Sequence, residues 1–402
     1  MMQSRCSWLT PALLTMYGAM PVCAQDASPL KLKIDTSLHL DSNLFRLPAS
    51  ADTASLIGKS GGAEQIHISS LSLSFSTSLS LQKFELNLNL ADYRYQNFNY
   101  LNFASRNYNS AWRWSLTPRL RGNLSTEHKE TFNNFSDFQM YDRKNQCTNT
   151  NTRFDALYEL DGAWRIFGGV SQSAQIDVQH FVAEGDYSAT SADIGLGYAL
   201  PTGSLIAYTR KNALGKYLNS LLPSANLFDD GFSQIDNEVK LNWVINGKST
   251  VDLRAAYISR THPHYFQRDY SGLNTGINLN WRISGKSALT LGWVRELSSY
   301  QNRSTNYTQT DRFLISPVWQ VSPKSVVRLS YELATRDFLG SPTGLPAGQR
   351  SDITRDAILS FDWQPYQYLT VSALLKNTSR ASSQPGFDYD SRTAALSAQF
   401  SY

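Results

Sequence analysis

The sequence predicts an all-β fold, a transmembrane antiparallel β-barrel of about 18 strands with short turns at one end and long loops at the other. Three observations carry this expectation. Apolar residues alternate with polar ones in segment after segment of about ten residues. Short turns return about every forty residues, the length of one hairpin plus one long loop. The chain also ends on an alternating strand closed by an aromatic residue, Tyr402.

Taken from the N-terminus, the first element reads as an export signal. Arg5 supplies a positive start, an apolar run follows, and "VCA" before Gln25 is a small-x-small cleavage pattern. The expected boundaries are a signal peptide over 1–24 and a barrel over 25–402. Removal of Cys6 and Cys23 would leave Cys147 alone, so no internal disulfide is expected. Pro11 and Pro21 interrupt the apolar run, which argues against a membrane anchor. No later stretch holds the roughly 20 apolar residues that a spanning helix needs.

Strands follow. Val239, Leu241, Trp243 and Ile245 share one face, with Lys240, Asn242 and Val244 on the other. Leu273, Ile277, Leu279, Trp281 and Ile283 repeat the pattern opposite Asn274, Asn278, Asn280 and Arg282. Leu359, Phe361 and Trp363, then Leu369, Val371, Ala373 and Leu375, continue it. The last strand sets Tyr402, Phe400, Ala398, Leu396 and Ala394 against Ser401, Gln399, Ser397 and Thr393. Two strands are irregular. Alternation is poor over 204–212, and the phase shifts near Ser70, which suggests a bulge and leaves sixteen strands as the alternative count.

Short turns are expected at "LQKF", "LTPR", "DGAW", "PTGS", "NGKS", "SGKS", "SPKS" and "QPYQ". This sidedness separates an outer-membrane barrel from a soluble β-sandwich, which has no reason for it. Trp114, Trp164, Trp243, Trp281, Trp319 and Trp363 lie close to those turns and Tyr402 ends the chain. Indoles at one height fit a lipid–water boundary, with the ring in the apolar layer and the N–H among headgroups.

The chemistry that other motifs suggest does not survive their context. "GKS" at 247–249 and 285–287 ends a nucleotide-loop pattern, yet the first glycine of that pattern is missing in both, and strands follow. Asn-Gly and Ser-Gly are instead expected to supply the positive φ of tight hairpins. None of His39, His67, His128, His180, His262 and His264 sits in a Gly-x-Ser-x-Gly or His-Glu-x-x-His setting. His262 and His264 lie in an expected outer loop, where solvation explains them better than a metal. No catalytic residue, metal or cofactor is expected, and a net charge of +4 implies no nucleic-acid partner.

The polar faces carry the informative residues. Strand phase directs Arg113, Arg121, Asp155, Glu159, Glu238, Lys240, Asp252, Arg254, Arg282, Arg328 and Glu332 inward. An Arg or Lys facing lipid at mid-bilayer costs about 2–4 kcal/mol, so the inward assignment is favoured. These side chains would either pair across strands and stiffen the wall, or line a hydrated path, or do both.

Three stretches resemble a known family. They are "HLDSNLFRLP" (39–48), the block "ADYRYQNFNYLNFASRNYNSAWRWSLTPRLRGNLS" (91–125), and "RFDALYELDGAWRIFGGVSQS" (153–173) with "FVAEGDY" (181–187). Together they resemble EpsL-type outer-membrane barrels associated with exosortase-linked exopolysaccharide clusters, within a broader β-barrel porin family. The resemblance implies passive export of an exopolysaccharide across the outer membrane. Implied partners are outer-membrane lipid, the polysaccharide, the barrel-assembly machinery during insertion, and periplasmic export components. A diffusion porin for small solutes is the alternative, and a barrel-type hydrolase the more distant one. Cys147 has no counterpart in the resemblance.

Overall fold

The computed structural model describes residues 29–132, 135–136, 144, 146–178, 186–218, 229–300, 305–341 and 350–402. The expected signal peptide, 1–24, lies outside them. Eighteen strands form one sheet. They are β1 (Leu30–Asp41), β2 (Glu64–Leu79), β3 (Gln82–Tyr95), β4 (Phe103–Ser115), β5 (Leu120–Phe132) and β6 (Gln146–Glu159). Next come β7 (Trp164–Asp177), β8 (Tyr187–Ala199), β9 (Leu205–Tyr217), β10 (Gly231–Asn246), β11 (Ser249–Thr261) and β12 (Tyr270–Arg282). The last six are β13 (Ser287–Ser299), β14 (Tyr307–Ser322), β15 (Ser325–Leu339), β16 (Ser351–Tyr366), β17 (Leu369–Ser382) and β18 (Tyr389–Ser401).

Each strand pairs antiparallel with its sequence neighbour, and β1 also pairs with β18, from Lys33↔Ser401 to Asp41↔Thr393. That last ladder closes the sheet and removes both edges, which backbone in a lipid phase requires. Eighteen strands spaced ~4.8 Å and tilted ~40° enclose a cylinder roughly 35 Å across, wide enough for an aqueous channel.

Both irregular strands are resolved by the ladder. β9 pairs along its whole length with β8 and β10, so the count is eighteen. β2 pairs without a shift through Ser70 on both sides, so there is no bulge there. Its phase change is real but has another cause. Leu71, Leu73 and Phe75 face outward, whereas Ile66, higher up, faces inward onto an apolar cluster at the barrel mouth. Bulges occur elsewhere, at Val244/Asn246, Gln320/Ser322 and Trp363/Tyr366, each just before a short turn.

The short turns correct the expected mechanism. Among the described residues, positive φ at these turns occurs only at Ser80 and Gly203, not at Gly247 or Gly285. Side-chain oxygens shape the turns instead. The Lys248 N–H donates to Asn246 Oδ1 at 2.8 Å, and the Lys286 and Ser287 N–H groups donate to Ser284 Oγ, both at 3.1 Å. Ser322 Oγ accepts from the Lys324 N–H, Thr117 Oγ1 from Leu120 and Asp161 Oδ1 from Trp164. With the donors held this way, and an extra bulge residue at the turns after β10 and β14, the chain reverses without left-handed backbone. These N–H bonds hold the Asp161 carboxyl below the usual carboxylate range.

Candidate functional site

Alternation gives the wall two faces. Leu, Ile, Phe and Trp side chains form the outer one. The opposite face is internal, because Arg380 on it reaches across the mouth to donate to the Ser136 carbonyl. Trp164, Trp243, Trp281, Trp319 and Trp363 are 42–54% exposed on the outer face, four of them four positions before a turn or bulge-turn. Trp114 differs at 8% exposure: its indole lies over Gly122 and stacks on Phe154 at 5.7 Å. A side chain at Gly122 would collide with that ring, so the glycine makes the seat. Tyr402 is almost fully exposed, with its backbone bonded to Leu32.

All eleven inward residues expected from the sequence lie on the inner face by register, and most meet opposite charges. Arg113 Nε donates to Glu85 at 2.8 Å, and Lys83 approaches the other oxygen at 2.6 Å. Arg121 meets Glu159 at 2.6 Å, with Arg165 at 3.5 Å. Asp155 accepts from Asn123 at 2.9 Å and lies 3.4 Å from Arg153, which grips Asp193 with both terminal nitrogens. Glu238 joins Lys240, at 2.6 Å, to Arg254. Asp252 accepts from Asn242, Arg282 donates to the Gly247 carbonyl, and Arg328 pairs with Asp362. Glu332 lies in the field of Arg312, Asp356 and Lys376. Both signs are interleaved, so the wall is polar without a strong net field. A different surface covers the middle of β2 and β3, where Ser70, Ser72, Ser74, Ser76 and Ser78 line one face, with Ser72 opposite Asn89 and Ser74 opposite Asn87. Asn89 donates to Ser72 Oγ at 2.8 Å.

The mouth is built from residues that alternation does not mark. The first outer loop (42–63) turns inward, and its Leu44, Phe45 and Leu47 bury with Phe98 and Leu101 from the next loop. Phe45 is wholly buried, 4.7 Å from the rings of both Phe98 and Phe135. Tyr95, Phe103 and Ile66 on the upper inner wall complete the floor. Polar groups fix this loop to the closure seam. Arg46, at φ 57°, donates to both oxygens of Asp41 at 2.8 Å and to Ser391 on β18. Asn43 donates to the carbonyls of Leu47 and Asp390, and the Leu47 N–H returns a bond to Asn43 Oδ1. The buried Glu64 carboxylate collects the N–H groups of Gln96, Asn97 and Phe98, which sets the second loop.

Within the loop lies a short helix α1 (Thr53–Ile57), capped by Asp52 and ended by Gly58 at φ 70°. Gly58 starts a third "GKS", and its Lys59 donates to the Asn97 carbonyl. No phosphate loop is formed there. The sequence offered two hints of the mouth: the phase change at Ile66, and Leu44, Phe45 and Leu47 crowded into an otherwise polar connection.

On the other side of the mouth the two loop histidines diverge. His262 meets Asp269 at 3.2 Å with its ring buried, and exposed His264 meets Asp229 at 3.0 Å. Asp229, Asp230 and His264 lie close enough to suggest a metal site. Asp229 already accepts the backbone N–H groups of His264, Tyr265 and Asp230 as well as the imidazole, so the triad is a loop clasp. Burial pushes Asp229 upward, but these bonds, led by the His264 side chain, hold it far below the usual carboxylate range. The His264 imidazole is raised by its bond to Asp229 and by both carboxylate charges. His39 bonds Ser37, His67 bonds Thr36, and His128 stacks on Tyr108. His180 lies outside the described residues.

Cys147 is fully buried and disulfide-bonded, contrary to the lone thiol expected. That expectation rested on the loss of Cys6 and Cys23 with the expected signal peptide. Both other cysteines lie outside the described residues.

A closed eighteen-stranded barrel with an apolar outer band, an aromatic belt above short turns and a polar interior is an outer-membrane protein of porin architecture. Solved structures agree. The chain is similar to OpdK from Pseudomonas aeruginosa, with a TM-score of 0.52 and 11% identity over 93% of this chain and 99% of that one. OpdK has also been solved with vanillate. A BenF-like porin from Pseudomonas fluorescens Pf-5 gives a TM-score of 0.53 and 10% identity, over 93% and 99%. At such identities the likeness establishes the fold, and the closed barrel with its apolar outer band is what suits an outer membrane. No family model matches the chain, and no curated protein matches it. The resemblance to EpsL-type barrels therefore gains no support, whereas the porin architecture does.

Proposed function

We propose that this protein is a passive diffusion porin for small polar solutes. The observation that carries the reading is a polar inner wall of mutually neutralising ion pairs beneath a mouth narrowed by an inward-folded loop. Interleaved Arg, Lys, Asp and Glu, with the Ser and Asn of β2 and β3, replace the hydration of a passing solute without trapping either charge. The loop cluster around Phe45 takes up cross-section that a polymer would need, which favours small solutes over an exopolysaccharide. Binding of vanillate by the OpdK fold is compatible with the size class, though it does not name this chain's solute. Most inner carboxylates are engaged by cations or amides, Asp35, Glu127 and Glu332 being the exceptions among the described residues, which suits a channel better than a hydrolase built on a paired acid and base.

Liposome swelling tests the reading. Proteoliposomes should admit monosaccharides and amino acids quickly and tetrasaccharides at least tenfold more slowly. Equal rates for polysaccharide fragments and monosaccharides, or loss of secreted polysaccharide on gene deletion with solute uptake unchanged, would restore export.

A further inference from the structure

We infer that the outer face of β8–β10 binds the phosphorylated headgroup of an outer-leaflet lipid, with Arg210 and Lys216 as the cationic contacts. The argument begins with the depth of charges on the outer face. Counting outward positions from the short-turn end of each strand, Arg106, Arg295 and Arg392 fall at the fifth and Arg355 at the sixth. That regularity marks the height at which the apolar band gives way to headgroups. Arg210 falls at the third position of β9, after only Ile206 and Tyr208. Among the described residues, no other charged side chain occupies the first four outward positions of any strand.

The face of Arg210 is not in doubt. It stands opposite Ile194, which is 64% exposed, and on the same side as Tyr208 and Leu214. Two outward positions are four residues, so Arg210 starts roughly 10 Å below the ring of arginines. A guanidinium on its flexible stem climbs about two residues of strand, bringing it level with Asn212 but short of the ring. The surroundings are polar in the same strip. Asn237 pairs with Arg210 across the ladder and accepts from the Tyr208 hydroxyl at 3.0 Å. Asn212 and Thr190 are exposed on this face, and Lys216 lies higher on β9 opposite Ser188. Among the described residues, neither the Arg210 nor the Lys216 side chain makes a hydrogen bond or ion pair.

An exposed arginine set this deep needs an anion brought to it. A carboxylate from a second copy is the less suited source, because among the described residues only Asp390 of the outward strand carboxylates has no side-chain partner. Asp92 pairs with Arg94, Asp311 with Arg295, and Asp337 accepts from Ser351. A phosphate monoester offers two charges and three acceptor oxygens, which a guanidinium fork and an ammonium can share with amide and hydroxyl donors. The notch in the apolar band lets such a headgroup settle lower here than around the rest of the wall.

Native mass spectrometry of the detergent-solubilised full chain with bis-phosphorylated lipid A, and with its phosphate-free counterpart, tests this. Wild type should retain the phosphorylated form at least tenfold better than the phosphate-free form. Arg210→Ser with Lys216→Ser should abolish the difference, and Arg210→Lys should keep most of it. The wild-type comparison stands alone if the double variant fails to fold. Equal retention of the two lipids overturns the proposal, as does full retention by the double variant. A wild-type oligomer that Arg210→Ser dissociates would reassign the strip to a second copy of the chain. Conductance does not enter any of these readouts, so the outcome is independent of the porin reading.

Discussion

Replacing Phe45 by alanine (Phe45→Ala) isolates the mouth from the barrel. The ring is fully buried and touches Phe98 and Phe135 at 4.7 Å each. Truncating a buried Phe costs about 3–5 kcal/mol, including the cavity left behind. About 1 kcal/mol of that belongs to each lost aromatic pair. Most of the wall does not share the loss, since only the upper ends of β2–β5 touch the cluster. At 1.4 kcal/mol per tenfold, about 4 kcal/mol raises the equilibrium for local opening of the loop roughly a thousandfold. The seam contacts of Arg46 and Asn43 would remain, so the loop should pivot rather than leave. Single-channel recording in planar bilayers should then show a larger, noisier conductance, and amide exchange over 42–63 should accelerate. Heat-modifiable migration of the barrel should not change. Wild-type conductance together with wild-type exchange would refute the idea that this cluster sets the aperture.

Other outcomes follow from the same geometry. Glu238→Gln leaves Lys240 and Arg254 without their shared carboxylate, so reversal potentials in a salt gradient should move toward anion preference. Ser284→Ala removes an acceptor serving two N–H groups, and refolding in micelles should be weaker by about 1 kcal/mol. The Asp229–His264 clasp should depend on pH in two directions. His264 is raised above 6.5, so its contribution is full below that value and fades as pH rises through its folded pKa. Asp229 is lowered below 3.8, so its contribution is full above that value and fades as pH falls through its folded pKa. Exchange protection of the Tyr265 amide should therefore be greatest between about 3.8 and 6.5. Protection that rises or falls monotonically from well below pH 3.8 to well above pH 6.5 would contradict the pairing.

How much of this was legible beforehand depends on how local the cause is. Leu241, Trp243 and Ile245 alternate with Lys240 and Asn242, and period two alone puts them on opposite faces. The inward placement of Arg113, Glu238 and Arg254 follows from that, because a charge facing lipid is costly wherever the strand ends up. The sidedness of short and long connections was likewise readable, and so was the outer membrane. Turn chemistry was only half readable. Asn246 and Ser284 announced turns, but their side chains, not a left-handed glycine, satisfy the turn N–H groups, and the bulge beside Asn246 arises from pairing with the next strand.

Contacts between distant segments were beyond reach of the sequence. Arg46 finds Asp41 nearby but Ser391 only because β1 and β18 close the barrel. Phe45, Phe98 and Phe135 come from three loops, and nothing in their spacing brings them together. Arg210 lies in the poorly alternating segment 204–212, so its face is undefined until the ladder with β8 and β10 fixes its register. Sequence by itself determined the wall, since strand periodicity and the cost of charge in lipid are properties of residues taken one at a time. Tertiary structure decided the mouth, the seam and the depth of each charge, because those depend on which strands closure makes neighbours.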